Sequence, residues 1–441
     1  MSYATAINDL NAMVPELYTG AGKPRRKFSL DEIRILLEAL GDPQKSVRSV
    51  LIAGTNGKGS TAATLASILT ASGIRTGLYT SPHLVRVNER MRMDRVEISD
   101  EEFARLYFRV HDAAQQLLID GSLPQLPSYF EILTAQALLY FAESAAEIAV
   151  LEVGMGGRLD ATNVVDPLLS VITDISLDHM DWLGSTISAI TREKAGILRR
   201  GGTMITLAQH PEANLVLGEV ASELGVRGVS GTPYLPDSDV VGAYQIGVLG
   251  EGILVDSPLA GAHQHRNVAL AIAAALELET SHGFGITPAS IAEGIRLTRW
   301  PGRLERIERN GATWILDVAH NPAGAWALRA GLRTAVGDMR PRTLIFSCLR
   351  DKPVAEMAQI LFPLFDKVIL APIHAARAAV MDDLLAAAKA TGTVALAADS
   401  VVKAIELAEE GARGGVFVVS GSVYLVGALR GLLLGAGGSE K

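Results

Sequence analysis

The segment Gly54-Thr-Asn-Gly-Lys-Gly-Ser60 constrains the fold more than any other stretch of this chain. It sits between a short apolar run at 47–53 and an Ala/Leu-rich stretch ending near Gly73. A buried strand, a Gly-rich turn and a helix in that order make a phosphate-binding loop. Glycines let backbone N–H groups close on phosphate oxygens, and the helix N-terminus favours their negative charge. The candidate nucleotide-binding residues are therefore Thr55, Asn56, Gly57, Lys58, Gly59 and Ser60, with Lys58 reaching the β/γ-phosphates. The loop departs from the usual GxxxxGK[ST] form. Ile52 replaces the first glycine, and Gly59 stands where a Mg²⁺-binding hydroxyl belongs, so that hydroxyl comes from Ser60 or from elsewhere.

Periodicity predicts an amphipathic helix over 29–40, further strands at 74–80, 148–153 and 168–175, and a helix over 185–198. Ser99–Glu102 and Ser128–Glu131 both have the form of a capping box. Residues 226–260 are Gly- and Val-rich and read as small hairpins; an Ala-rich helix at 264–281 and a helix opening at Thr287-Pro288 follow. Leu297 to Gly302 marks a domain boundary, because a helix ends there and Pro-Gly stops its continuation. Beyond it, strands at 313–318, 343–348, 366–371, 393–397 and 415–420 alternate with helices, the pattern of a parallel sheet. The expected organisation is two α/β domains, 1–299 and 300–441.

Composition narrows the function. With 49% hydrophobic and 20% charged residues, the chain has ordinary globular composition. A formal net charge of −8 argues against a broad nucleic-acid or anionic-membrane surface, and leaves room for a small anionic substrate. Cys348 is the only cysteine, so no intrachain disulfide or Cys-rich metal site can form, which fits a reducing compartment. The N-terminus is polar and acidic without a signal-like apolar core, and no apolar stretch is long enough to span a bilayer. A cytoplasmic location is expected.

Further motifs follow the loop in order: TSPHL at 80–84, EVGMGGRLDATN at 152–163, LDHMDWLG at 177–184, REKAGI at 192–197, His263-Gln264 with Asn267, PGRLE at 301–305, LDVAHNP at 316–322 and GSVYLVG at 421–427. Together these resemble the folylpolyglutamate synthase/dihydrofolate synthase family of the Mur-ligase superfamily. The resemblance implies a P-loop, Mur-ligase-like ATPase domain followed by a smaller Rossmann-like α/β domain. It implies an ATP-dependent ligase adding L-glutamate to 7,8-dihydropteroate and to tetrahydrofolates through an acyl phosphate, probable rivals being polyglutamation alone or a Mur-type peptidoglycan-precursor ligase. The phosphate loop starts by residue 54, which leaves little room for a UDP-binding domain ahead of it, and no guanine-reading N-K-x-D supports a GTPase.

Residue roles carry over from the same resemblance. Ser81, Glu152, His179 and Lys194 fall on metal-ligand positions, with Lys194 carbamylated by CO₂ and two Mg²⁺ ions expected. Hard cations take oxygen ligands with an occasional imidazole, and Glu152 ends a strand where parallel sheets bind ligands. Asn267 and Arg303 fall to ATP, Asp317 lies toward the nucleotide, and His320 lies beside the phosphates, which makes Lys58, Lys194 and His320 the catalytic candidates. Ser128, Tyr129, Phe130, Glu131, Leu159, Asp160 and Ala161 match segments that bind dihydropteroate. A flat pterin suits Phe130 or Tyr129, and its aminopyrimidine edge suits the Asp160 carboxylate; the capping box alone also explains Ser128 and Glu131. Incoming glutamate needs cations, and Asp351-Lys352-Pro353, His374, Arg377 and Ser420-Gly-Ser422 lie near strand ends, unranked. A monomer is expected.

Overall fold

The computed structural model describes residues 2–13, 29–237, 240, 242–410 and 415–435. Eight strands form the first sheet: β1 (Arg48–Ala53), β2 (Thr76–Tyr79), β3 (Met91–Met93), β4 (Val96–Glu97), β5 (Ile148–Glu152), β6 (Leu169–Ile172), β7 (Thr203–Thr206) and β8 (Arg227–Ser230). Their order is β4-β3-β2-β5-β1-β6-β7-β8. β3 pairs antiparallel with both β2 and β4, and the other neighbours run parallel. A separate hairpin joins β9 (Tyr244–Val248) to β10 (Glu251–Val255).

Strand residues alternate between two cores, as period-two side chains buried on both faces must. Leu51, Ala53, Leu151 and Ile172 face one core, together with the helices Asp31–Ala39, Asp100–Ile119 and Tyr129–Glu143. Val50, Ile52, Val150 and Val171 face the other, under Lys58–Ala71, Ala262–His282 and Pro288–Arg296. The phosphate-loop helix is buried from Gly59 to Leu69, which explains its lack of an amphipathic stripe.

The second sheet has the order β11-β12-β16-β13-β14-β15, from β11 (Glu305–Arg309), β12 (Ala312–Leu316), β13 (Arg342–Phe346), β14 (Lys367–Leu370), β15 (Ala395–Ala397) and β16 (Val416–Ser420). Five strands are parallel and β11 is an antiparallel edge. Ile315, Leu344 and Val418 pack on one face, Trp314, Ile345 and Phe417 on the other.

Some local expectations change. Residues 227–230 join the main sheet beside β7, so the expected hairpins at 226–260 reduce to 244–255. At Ser99 only half a capping box forms, because the Glu102 carboxylate turns to Arg105. Helices at Tyr3–Ala12 and Pro211–Leu224, and strands β7 and β11, are additional to the expected elements, although Ala213, Val216, Leu217 and Val220 hold helical spacing. No helix among the described residues is long and apolar enough to cross a membrane.

Candidate active site

Parallel strands collect their following loops at one edge, and here β1, β5 and β6 bring 54–60, 153–160 and 173–179 together. In the phosphate loop Gly57 has φ +88°, and an added Cβ would collide with the Asn267 side chain. Asn267 is in turn oriented by donating from Nδ2 to Gln264 Oε1 at 2.8 Å. The Thr55 and Asn56 amides donate to Asp174 O at 2.9 and 3.1 Å, which ties the loop to β6. Lys58 Nζ donates to Thr55 O at 3.2 Å, and the buried Ser60 hydroxyl has no protein partner.

Beside the loop, Glu152 is buried and its Oε2 accepts from the Ser81 amide at 3.0 Å. Burial pushes its carboxyl above the usual range, opposed by Lys58 and the Ser81 amide. His179 opens the short helix Met180–Leu183 in a left-handed conformation, φ +50°. Burial lowers its imidazole to about 4, against the pull of Asp178, so the ring is neutral and able to ligate at neutral pH. Lys194 is buried, and its Nζ donates to Gly54 O at 2.6 Å. Burial first, and Lys58 second, lower its amine to about 7.

The described residues contain no group of three His, Cys, Asp or Glu side chains placed to hold a metal ion. Asp178 and Asp317 are engaged by neighbouring groups, and the donors left around the loop are the buried Glu152 carboxylate, the neutral His179 imidazole, the Ser81 hydroxyl and the orphaned Ser60 hydroxyl. That set fits Mg²⁺, which takes one or two protein oxygens and completes its shell with phosphates and water.

The second domain closes over this edge. Asp317 accepts from the Ala319 and Leu304 amides, each at 2.9 Å, and its charge favours the half-buried Arg303 guanidinium. His320 Nδ1 lies 3.0 Å from Val318 O, and its Nε2 lies 3.4 Å from Asp178 Oδ2. Asn321 caps the helix Pro322–Val336 and donates from Nδ2 to Asn56 Oδ1 at 3.0 Å and Asp178 Oδ2 at 3.1 Å. Lys352 Nζ meets Asp178 Oδ1 at 2.5 Å. Burial raises the Asp178 carboxyl, but His320, His179 and Lys352 outweigh it and hold the group well below the usual carboxylate range. Asp178 is thus the joint between the domains. The LDHMDWLG motif contains it, yet the metal pattern draws attention to His179 next door.

Two cavities meet here. One of about 370 Å³ is lined by the phosphate loop, Lys194, Asn267 and Asp317. The other, about 280 Å³, is lined by Phe130, Met155, Trp300, Lys352, Arg377 and Tyr424. Ser81, Glu152, His179, Arg303 and His320 line both. A nucleotide on one side and an acceptor on the other would meet at these five polar residues, with Pro82, Gly154 and Val318 also shared.

The acceptor candidates divide. Phe130 reaches the cavity and its ring lies against Gly154. Ser128, Tyr129, Glu131, Leu159, Asp160 and Ala161 do not line it. Ser128 and Glu131 form the reciprocal capping box. Tyr129 lies under the Arg90 guanidinium, 5.4 Å from ring centroid to Cζ. Asp160 accepts from the Met155 amide at 2.8 Å and from Thr162 N and Oγ1 at 3.0 and 2.6 Å, which shapes the 153–160 turn.

Residues 52–275 match the Mur ligase middle domain, and 302–423 match the Mur ligase glutamate ligase domain. The dihydrofolate synthase/folylpolyglutamate synthase of Bacillus subtilis is 34% identical over 92% of this chain and 94% of its own length. The folylpolyglutamate synthase of Lacticaseibacillus casei is 35% identical over 93% and 96%. A Mycobacterium tuberculosis folylpolyglutamate synthase complexed with ADP and AMPPCP superposes with TM-score 0.81 at 34% identity, over 93% of this chain and 96% of that one. A phosphate loop facing a second α/β domain across a divided cavity defines an ATP-dependent ligase of the Mur type. The chain belongs to the folylpolyglutamate synthase/dihydrofolate synthase family.

Proposed function

We propose that this enzyme joins L-glutamate to 7,8-dihydropteroate and to tetrahydrofolates, using ATP to activate the acceptor carboxylate as an acyl phosphate. The observation that carries the reading is the meeting of the nucleotide and acceptor cavities at Ser81, Glu152, His179, Arg303 and His320. The loop amides and Lys58 hold the phosphates, while Asn267, Arg303 and Asp317 position the nucleotide. Ser81, Glu152, His179 and carbamylated Lys194 would hold Mg²⁺, as two ions, which would supply charge neutralisation at the transferring phosphoryl group. His320, on the second domain, steadies developing charge beside the phosphates. Domain closure around Asp178 keeps water from the acyl phosphate, and the neutral amine of glutamate displaces phosphate.

The carbamate is supported by the Lys194 amine, buried and lowered to about 7, so a large neutral fraction exists at neutral pH. The neutral amine nitrogen attacks CO₂, an N–C bond forms as one C=O π bond opens onto oxygen, and one proton leaves the nitrogen, so the neutral amine becomes a buried carbamate anion. Lys194→Ala should then be nearly inactive, with partial rescue by added short carboxylates. The roles of Ser128, Tyr129, Phe130, Glu131, Leu159, Asp160 and Ala161 in holding the pterin belong to the same proposal, Phe130 by stacking at the cavity and the others from behind its lining. Polyglutamation alone is the second reading. Asp160 favours it, because both its oxygens already accept hydrogen bonds within the protein. We further propose a cytoplasmic monomer.

The test is purified enzyme with ATP, Mg²⁺ and L-glutamate, offered dihydropteroate and tetrahydrofolate separately, with ADP release and product mass recorded. Products from both acceptors support the full reading. Product from tetrahydrofolate alone supports the second, and product from neither overturns both.

A further inference from the structure

We propose that Arg92 and Trp300 form a carboxylate site on the wall of the acceptor cavity. It would bind the α-carboxylate of a glutamyl tail that the acceptor already carries. The inference rests on the function proposed above and names which part of the acceptor one wall reads.

Arg92 sits on β3 opposite Leu78 of β2, and its side chain is only 13% exposed. Its Nη2 reaches Glu97 Oε1 at 3.2 Å, while its Nε is buried without a partner. The guanidinium lies over the Trp300 ring, 5.6 Å from the centroid, and Trp300 Nε1 is also buried without a partner. Two N–H donors without protein partners thus belong to residues whose side chains pack on each other and that both line the acceptor cavity. Buried polar groups left without partners are uncommon and need a reason, such as a ligand.

The other cations of this cavity are already matched. Lys352 is paired with Asp178 at 2.5 Å, Arg377 with Asp351 at 3.2 Å, and Arg303 lies in the field of Asp317 and Glu152. The lining carboxylate Glu89 is committed to the amides of Leu84, Val85 and Arg86 at 2.7–2.8 Å. Arg92 has only the exposed Glu97, held through Nη2, and among the described residues no acid meets its Nε. A planar guanidinium and an indole N–H on one cavity wall suit a carboxylate, which accepts at two oxygens.

Position selects which carboxylate. The Trp300 ring lies against Gly59, where an added Cβ would fall 2.7 Å from Cζ2. The site is therefore one ring's thickness from the first turn of the phosphate-loop helix. Dihydropteroate ends in a single carboxylate, the one that reacts. A folate ends in glutamate, whose γ-carboxylate reacts and whose α-carboxylate stays as a neighbouring anion. Only the second kind of acceptor brings a spectator charge to this wall.

The test compares two ligands that differ by the glutamyl tail alone. Dissociation constants for tetrahydrofolate and tetrahydropteroate are measured on wild type, Arg92→Gln and Arg92→Lys, with a non-hydrolysable ATP analogue and no L-glutamate. Wild type should prefer tetrahydrofolate, and Arg92→Gln should weaken it by roughly tenfold or more with tetrahydropteroate nearly unchanged, from the worth of a charge-assisted hydrogen bond. Arg92→Lys, which keeps the charge and loses the planar edge, should fall between, and it carries the test if the Gln variant does not fold. In turnover the KM for L-glutamate should be unchanged. Equal weakening of both ligands, no weakening, or a raised KM for L-glutamate would overturn the proposal, the last by assigning the site to the incoming amino acid. Wild type that binds neither pteridine would overturn the function on which it rests.

Discussion

Asp178→Asn is the perturbation whose cost the structure defines best. The substitution keeps shape and removes charge at the joint between the domains. Lys352 Nζ lies 2.5 Å from Asp178 Oδ1, and the two side chains are 4% and 8% exposed, so solvent does not screen the pair. Leaving one partner of such a pair buried alone costs about 3–5 kcal/mol. Weakened acceptance from Asn321 and His320 adds about 0.5–1.5 kcal/mol each. The sign with pH follows from the depressed Asp178 carboxyl. A depressed carboxylate stabilises above its unfolded pKa, so the contribution is complete above about pH 5 and shrinks as pH falls through about 3.9. The assay is a double-mutant cycle of Asp178→Asn and Lys352→Met, read from the first urea unfolding transition at neutral pH. Each single variant should lose several kcal/mol. The double variant should lose less than their sum by about 2 kcal/mol or more, because it no longer buries an unpaired charge. Single losses below about 1 kcal/mol, or simple additivity, would refute the reasoning.

Lys58→Ala should lower kcat by about 10²-fold or more with an unchanged thermal midpoint, since it removes a charge aimed at the transferring phosphoryl group. Near-normal turnover counts against that role. Glu152→Gln should weaken the Mg²⁺ response of ATP turnover while leaving stability equal or higher, because the buried carboxylate already suffers from desolvation. A Mg²⁺ titration identical to wild type would remove Glu152 from the ligand set. His83 is lowered from 6.5 to about 3, by burial first and by Arg90 second. The unfolded chain therefore binds the extra proton as pH falls through 6.5, and stability drops by up to about 1.4 kcal/mol per pH unit from this residue. Urea unfolding of His83→Gln should show a flatter acid slope than wild type; parallel slopes would contradict it.

Residues whose neighbours are close in sequence were readable in advance. The parallel strands around the phosphate loop announce themselves as apolar runs, and Ser128–Glu131 carries its own cap. β3 and β4 are too short for a period, and β7 and β8 carry mixed burial at the sheet edge, so pattern alone misses them. Lys194 reads as a solvated helix lysine, and only tertiary packing places its Nζ on Gly54 O across 140 positions. The Asp178–Lys352 contact spans 174 positions and leaves no periodic trace. Asp160 illustrates the reverse: its carboxylate suits a pterin edge, yet the turn consumes its oxygens locally.

The account turns on activation of the acceptor carboxylate by ATP before glutamate attacks. The most direct measurement supplies acceptor labelled with ¹⁸O in both carboxylate oxygens, together with ATP, Mg²⁺ and L-glutamate, and follows the label by mass spectrometry. The account predicts one ¹⁸O in the released phosphate for each amide formed, with the other retained in the glutamylated product. Glutamylated product accompanied by unlabelled phosphate would contradict it.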